Sequence, residues 1–156
     1  MIKNKTNASI MLSVGSVLVL DQLSKFFVLR NLNPNNSIEV IRNFFYLTLV
    51  YNTGAAFGIL KDKTFVFVAI SLLAVIFIVF YINKRKKGAF PADLGLGLIL
   101  GGALGNLVDR LRFGYVVDFL DFKIWPVFNI ADSAITTGVF LLIAASVIKN
   151  FRPRTG

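Results

Sequence analysis

The chain has 156 residues, 56% of them hydrophobic and 16% charged, with a net charge of +9 and a mean hydropathy of +0.72. A soluble fold of this size could not hide so much apolar surface from water, so the composition implies one compact integral membrane unit. Cysteine and histidine are both absent. Their absence excludes disulfides, thiol nucleophiles, Ser-His triads and zinc held by His or Cys, leaving carboxylates, hydroxyls, amides, Lys and Arg for any chemistry. Nor does the positive charge point to nucleic acid. Lys3 and Lys5, Lys84 to Lys87, and Lys149, Arg152 and Arg154 all flank hydrophobic runs, as membrane topology signals do.

The first element is a helix over residues 8–29, long enough to cross a bilayer, which takes about 20 residues. It begins like a secretory signal peptide but has no small-x-small cleavage site and carries Asp21 and Lys25, so it reads as a retained span. Residues 30–63 form a connection. Within it, the β-branched and aromatic stretch from Ser37 to Tyr51 predicts strands near the membrane surface. The second span covers residues 64–82 and is followed by the basic turn "KRKKG". That turn is short and strongly cationic, which makes it cytoplasmic and brings both basic termini to the same side. The third span covers 92–111. A second outer connection, 112–129, contains the strand-like "YVVDFLDFKIWPVF", broken at Pro126, with Tyr115 and Trp125 suited to an interfacial belt. The fourth span covers 130–148. The expected fold is mainly α, a four-transmembrane-helix bundle with a small extracytoplasmic β-cradle, in one domain over residues 1–156.

Polar groups within such spans cost several kcal/mol unless paired, roughly, so each needs a reason. Asp21 and Lys25 lie four apart and share a helix face; an ion pair that makes the helix end tolerable and a part in a functional site both remain open. Gly97, Gly101 and Gly105 recur every four residues, a small-residue face for close helix packing. Asn106, Asp109 and Arg110 follow at the outer end of the same span. Asp109 and Arg110 point in different directions and need separate partners. Asp121 reads as a solvated loop charge.

Asp118 and Asp132 stand apart from these. Asp118 follows two valines in a strand-like run, and Asp132 lies in the first turn of the fourth span with Asn129 as N-cap. A chain that leaves the membrane, turns at Pro126 and returns brings both to the outer surface. Two carboxylates at one site share a proton. Such a pair can activate water with one member and protonate a leaving amine with the other, with no metal or cofactor. The competing class is a small polytopic transporter or channel, in which intramembrane Asp, Lys and Asn line an ion path. Against it, the polar residues cluster toward one side and no internal repeat is visible.

Five stretches carry a family resemblance: "DQLSK" from Asp21, "NTGAAFG" from Asn52, "GGALGNLVDR" from Gly101, "VVDFLDF" from Val116 and "FNIADSAI" from Phe128. In this order, with four spans among them, they resemble the lipoprotein signal peptidases, the type II signal peptidases of bacteria. The resemblance implies a monomeric aspartic endopeptidase of the bacterial cytoplasmic (inner) membrane, working at its extracytoplasmic face amid membrane lipid. It would remove the signal peptide from diacylglyceryl-modified prolipoproteins by hydrolysis just before the lipidated cysteine. It implies Asp118 and Asp132 as the catalytic dyad. Asn52, Gly54, Asn106, Asp109, Arg110, Asn129 and Ala131 would support the site or bind substrate, together with Asp21 and Lys25. It also implies inhibition by the cyclic peptide globomycin, a cradle over Ser37 to Tyr51, and a mobile cover from "GAAFGILKD". Arg110 is expected to brace the fold through Asp109, Asp21 or backbone carbonyls rather than to touch substrate.

Overall fold

The computed structural model describes residues 3–34, 36–54, 64–85 and 90–151. Over these it has helices α1 (Lys3–Asn31), α2 (Thr64–Lys84), α3 (Phe90–Phe113) and α4 (Ile130–Phe151), and strands β1 (Ser37–Ile41), β2 (Phe45–Asn52) and β3 (Val116–Asp121). All four helices contain segments long and apolar enough to cross a membrane: Ala8–Asn31, Phe65–Lys84, Phe90–Phe113 and Ile130–Ile148. The fold is thus mainly α with one small sheet, as expected. All but Gly54 of the "GAAFGILKD" cover and most of the "KRKKG" turn lie outside the described residues.

α3 is the centre of the bundle and packs against the other three helices. It needs close approach on two sides, and glycine provides it. A Cβ built on Gly102 would sit 2.4 Å from the backbone oxygen of Ala131 on α4. One on Gly105 would sit 2.6 Å from Oδ2 of Asp21 on α1. Any larger residue would separate the helices that carry the polar cluster described below. On the flank away from that cluster, Ile10, Val14 and Leu100 form a buried apolar group against Val75, Ile78 and Ile82 of α2. Elsewhere the helices turn Phe27, Ile70, Phe77, Phe140 and Ile143 outward. In lipid this exposed apolar surface is solvated rather than penalised. At the end of the bundle remote from the sheet, Arg85 after α2 forms an ion pair with Asp93 in the first turn of α3.

The three strands form one antiparallel sheet in the order β1-β2-β3. Leu49, Val117 and Phe119 pack onto Val28 at the end of α1, which fixes the sheet on the bundle. The β2–β3 register shifts between Leu47 and Val50. That irregularity has a chemical consequence. In a regular strand Asp118 and Asp121, three residues apart, face opposite sides. Here both reach β2 side chains of the same parity: Asn52 Nδ2 donates to Asp118 Oδ2 at 2.8 Å, and Thr48 Oγ1 donates to Asp121 Oδ2 at 2.7 Å. Because the extra residue lies on β2, Asp118 and Asp121 keep opposite faces of β3 while β2 side chains of one parity reach both.

Candidate active site

The polar residues of α1, α3, β3 and α4 converge where the sheet meets the bundle. α4 begins with a capping box. Asn129 accepts the backbone N–H of Asp132 on Oδ1 at 2.9 Å, and Asp132 Oδ2 accepts the backbone N–H of Asn129 at 3.3 Å. This reciprocal pairing satisfies two free N–H groups of the helix start. It also fixes the Asp132 carboxylate relative to Asn129. The N–H of Ala131, between them in the chain, donates to Asp21 Oδ1 at 3.0 Å, which ties the start of α4 to α1.

Asn129 then joins the two aspartates. Its Nδ2 donates to Asp118 Oδ1 at 2.7 Å, and the same nitrogen lies 3.1 Å from Asn106 Oδ1. Asn106 Nδ2 in turn donates to Asp132 Oδ1 at 2.8 Å. Each of the four carboxylate oxygens of Asp118 and Asp132 therefore accepts one N–H, three from side-chain amides and one from backbone. Gly54 supports the outer member of this set: its N–H bonds Asn52 Oδ1 at 3.0 Å, which turns the Asn52 amino group toward Asp118. Asp118 is buried, at 2% exposure, whereas Asp132 is only half-buried. The pair is thus reached from the Asp132 side.

Burial raises the Asp118 carboxyl from its ordinary value of 3.8 to about 7, with the negative charge of Asp132 adding to the effect. The amide hydrogen bonds from Asn52 and Asn129 and the ammonium of Lys25 oppose this without cancelling it. A carboxyl in this state exchanges its proton near neutral pH, the condition for general acid–base work.

Beneath the pair lies a buried ionic cluster. Lys25 Nζ sits 2.8 Å from Asp21 Oδ2 and 2.8 Å from Asp109 Oδ2, and donates to Asn106 Oδ1 at 3.2 Å. Its three protons thus serve three acceptors. Asp109 Oδ2 also accepts the Val117 backbone N–H at 3.1 Å, so the strand residue just before Asp118 is fastened to the helices. The expected Asp21–Lys25 pair is present, and Asp109 is the additional partner. Gln22, to which sequence reasoning gave no role, completes the set. Its Nε2 lies 2.9 Å from Asp109 Oδ1, 3.1 Å from Asp21 Oδ2 and 3.3 Å from the Gly105 carbonyl. The available signal was a polar amide on an apolar helix, which needs a partner as much as a charge does.

Two expectations are corrected. Asp121 is not a solvated loop charge: it is buried at 4% exposure. It accepts Thr48 Oγ1, the Lys123 backbone N–H at 2.9 Å and Lys123 Nζ at 2.7 Å. Burial alone would raise its pKa, but these bonds, those of Lys123 foremost, outweigh burial and hold it below the ordinary carboxylate value. Arg110 meets partners other than those expected. Among the described residues its guanidinium reaches α2, with Nη1 3.4 Å from Ser71 Oγ and the central carbon 5.4 Å from the centre of the Phe67 ring. Asp21, Asp109 and the loop carbonyls are not its hydrogen-bond acceptors among those residues.

Comparison with known proteins bears on what this cluster does. Residues 13–148 match the family model described as Signal peptidase (SPase) II. The lipoprotein signal peptidase of Moorella thermoacetica is 56% identical over 126 residues, 81% of this chain and 84% of that protein. That of Halothermothrix orenii is 50% identical over 127 residues, 81% of this chain and 87% of that protein. Among solved structures, a bacterial membrane enzyme determined by the in meso method at 2.3 Å resolution superposes with a TM-score of 0.89. It is 34% identical, with 96% of this chain and 93% of that chain covered. A second, at 1.9 Å resolution, gives a TM-score of 0.82 at 36% identity, covering 90% and 93%. These relatives give no support to a transporter or channel. A family match across nearly all of the four-helix region, and relatives identical at half or more of the aligned residues, lead to one conclusion: the chain belongs to the lipoprotein signal peptidases, the signal peptidase II family of membrane enzymes.

Proposed function

We propose that the chain is an aspartic endopeptidase in which Asp118 and Asp132 form the catalytic dyad, and that it acts on diacylglyceryl-modified prolipoproteins just before the lipidated cysteine. The observation that carries this reading is the bridge through Asn129, which bonds Asp118 by its amide and Asp132 by its backbone and side chain. Two carboxylates tied to one residue, with Asp118 keeping its proton to about pH 7, hold one proton between them near neutrality.

The reaction follows from that shared proton. The ionised carboxylate takes a proton from a water molecule as the water attacks the scissile carbonyl carbon. The protonated partner hydrogen-bonds the carbonyl oxygen as it gains charge. Collapse of the tetrahedral intermediate breaks the C–N bond, and a carboxyl proton passes to the departing amine of the cysteine. The dyad ends with one proton, as it began. Asn52, Asn106 and Asn129 keep both carboxylates oriented, and Asp21, Lys25 and Asp109 hold the elements that carry them. The chain would sit in the bacterial cytoplasmic membrane with the sheet and dyad on the extracytoplasmic face. The basic Lys84 and Arg85 end is then cytoplasmic. A globomycin-type cyclic peptide would inhibit by occupying the dyad.

The test is cleavage of a purified diacylated prolipoprotein, followed as the mass lost with the signal peptide. Asp118→Asn and Asp132→Asn should each abolish it in folded protein, and the double variant should be little worse than either single one. Near-normal turnover by either single variant would overturn the dyad.

A further inference from the structure

An asparagine side chain presents two unlike faces, an oxygen that accepts and an amino group that donates, and half a turn exchanges them with almost no change in shape. At Asn106 the choice is forced. Lys25 Nζ has only protons to give and lies 3.2 Å from Oδ1. Asn129 Nδ2, also a donor, lies 3.1 Å from the same atom. Asn129 is itself fixed, because its oxygen already holds the Asp132 backbone N–H. With Oδ1 of Asn106 so occupied, its amino group faces Asp132 Oδ1 at 2.8 Å. The turned alternative would set an oxygen against a carboxylate and an amino group against an ammonium, three repulsive contacts in place of three hydrogen bonds.

We propose that Lys25 is a positioning residue for hydrolysis: acting through Asn106, it keeps an N–H donor on Asp132, so that Asp132 can hold negative charge during the cycle. This rests on reading Asp118 and Asp132 as the dyad. It goes beyond charge balance. Asp21 and Asp109 account for two of the three protons on Lys25, and the third is spent on a neutral amide. The ionisable groups around Asp132 are Asp118 from β3, Asp21 and Lys25 from α1, and Arg110 from α3. Of these, Lys25 bonds the amide that bonds Asp132.

A merely structural role and a positioning role separate in the double variant Lys25→Met with Asp109→Asn. It removes one positive and one negative charge together, so the cluster keeps its formal charge of −1. Asp109→Asn alone is the reference, since it loosens the Val117 tether in the same way. If Lys25 only balances charge and holds the helices, the double variant turns over no more slowly than Asp109→Asn and its acid limb does not move. If Lys25 positions Asn106, the double variant folds and keeps KM within about threefold of that reference, but kcat falls about 100-fold below it. The acid limb of its kcat profile also moves to higher pH, because Asp132 without its donor ionises less readily. A kcat equal to that of Asp109→Asn and an unmoved limb overturn the proposal. A second reading needs no Lys25 variant. In parental enzyme labelled with [15N]asparagine, the Asn106 side-chain amide signal, assigned by its loss in Asn106→Ser, should shift with the midpoint at which the carboxyl pair ionises. A signal indifferent to that ionisation also overturns the proposal. Asp118→Asn is the control on the underlying reading. If it stays active the dyad itself is wrong, whereas an inactive Asp118→Asn beside a double variant as active as Asp109→Asn removes only the role of Lys25.

Discussion

The substitution Asp118→Asn separates what the buried carboxyl does for chemistry from what it does to stability. Asp118 is 2% exposed, and its pKa is raised from 3.8 to about 7 by burial and then by Asp132. Below about pH 4 the carboxyl is protonated in folded and unfolded chains alike and costs nothing extra. Between there and about pH 7 the unfolded chain releases its proton while the folded chain retains it, so stability falls as pH rises. Above about pH 7 the full cost is present. A rise of this size corresponds to about 4 kcal/mol, at about 1.4 kcal/mol per pH unit. Asparagine escapes that cost but introduces another. Asp118 accepts from Asn129 Nδ2 at 2.7 Å and from Asn52 Nδ2 at 2.8 Å, and an asparagine at this position can accept only one of them on its oxygen. The other amide must turn. Asn52 is the freer of the two, and turning it breaks its bond from the Gly54 N–H, a loss of about 1–2 kcal/mol.

The two effects give a change of sign. Asp118→Asn should be less stable than the parent by about 1–2 kcal/mol near pH 4 and more stable by about 2–3 kcal/mol near pH 8. It should lack cleavage activity throughout. Thermal unfolding followed by circular dichroism in detergent micelles, with parent and variant compared across that range, reads the crossover directly. A stability difference that is flat with pH, or that moves against the variant as pH rises, would refute the assignment of a costly buried charge to Asp118.

Three further outcomes are expected. Gly105→Ala places a Cβ 2.6 Å from Asp21 Oδ2, and should cost about 1–3 kcal/mol in thermal unfolding as α1 and α3 are pushed apart; unchanged unfolding would show that Asp21 can move aside freely. Asp121→Asn should destabilise the sheet at neutral pH, with the difference from the parent vanishing as acid protonates Asp121 in the parent. The sign follows from a folded pKa held below that of the unfolded chain, and a difference that persists in acid would contradict it. Arg110→Lys keeps the charge but loses the guanidinium plane over Phe67 and its reach to Ser71, so unfolding temperature and turnover should fall together. Unchanged stability with a sharply raised KM would make Arg110 a substrate contact instead.

What could be read from the chain, and what could not, follows from the cost of polar groups in an apolar setting. Four long apolar runs leave little choice but helices that span a membrane, and the β-branched run before Asn52 leaves little choice but strands. Asp21, Lys25, Asn106, Asp109, Asn129 and Asp132 stood out because each is too costly to bury alone. The structure brings all of them into one network with Asp118. The partners were harder to read than the participants. Gln22 and Asp109 are 87 residues apart, and local spacing holds no trace of their contact. Asp121 looked solvated because its partner Thr48 is 73 residues away, and the β2 irregularity between Leu47 and Val50 beside that contact leaves no pattern in residue type. Arg110 looked like a partner for a neighbouring carboxylate. Lys25 already occupies Asp109 and Asp21, however, so the guanidinium is left to find Ser71 and an aromatic face on α2. Each departure has the same origin: a buried donor is committed once, and the first commitment decides where the next group must turn.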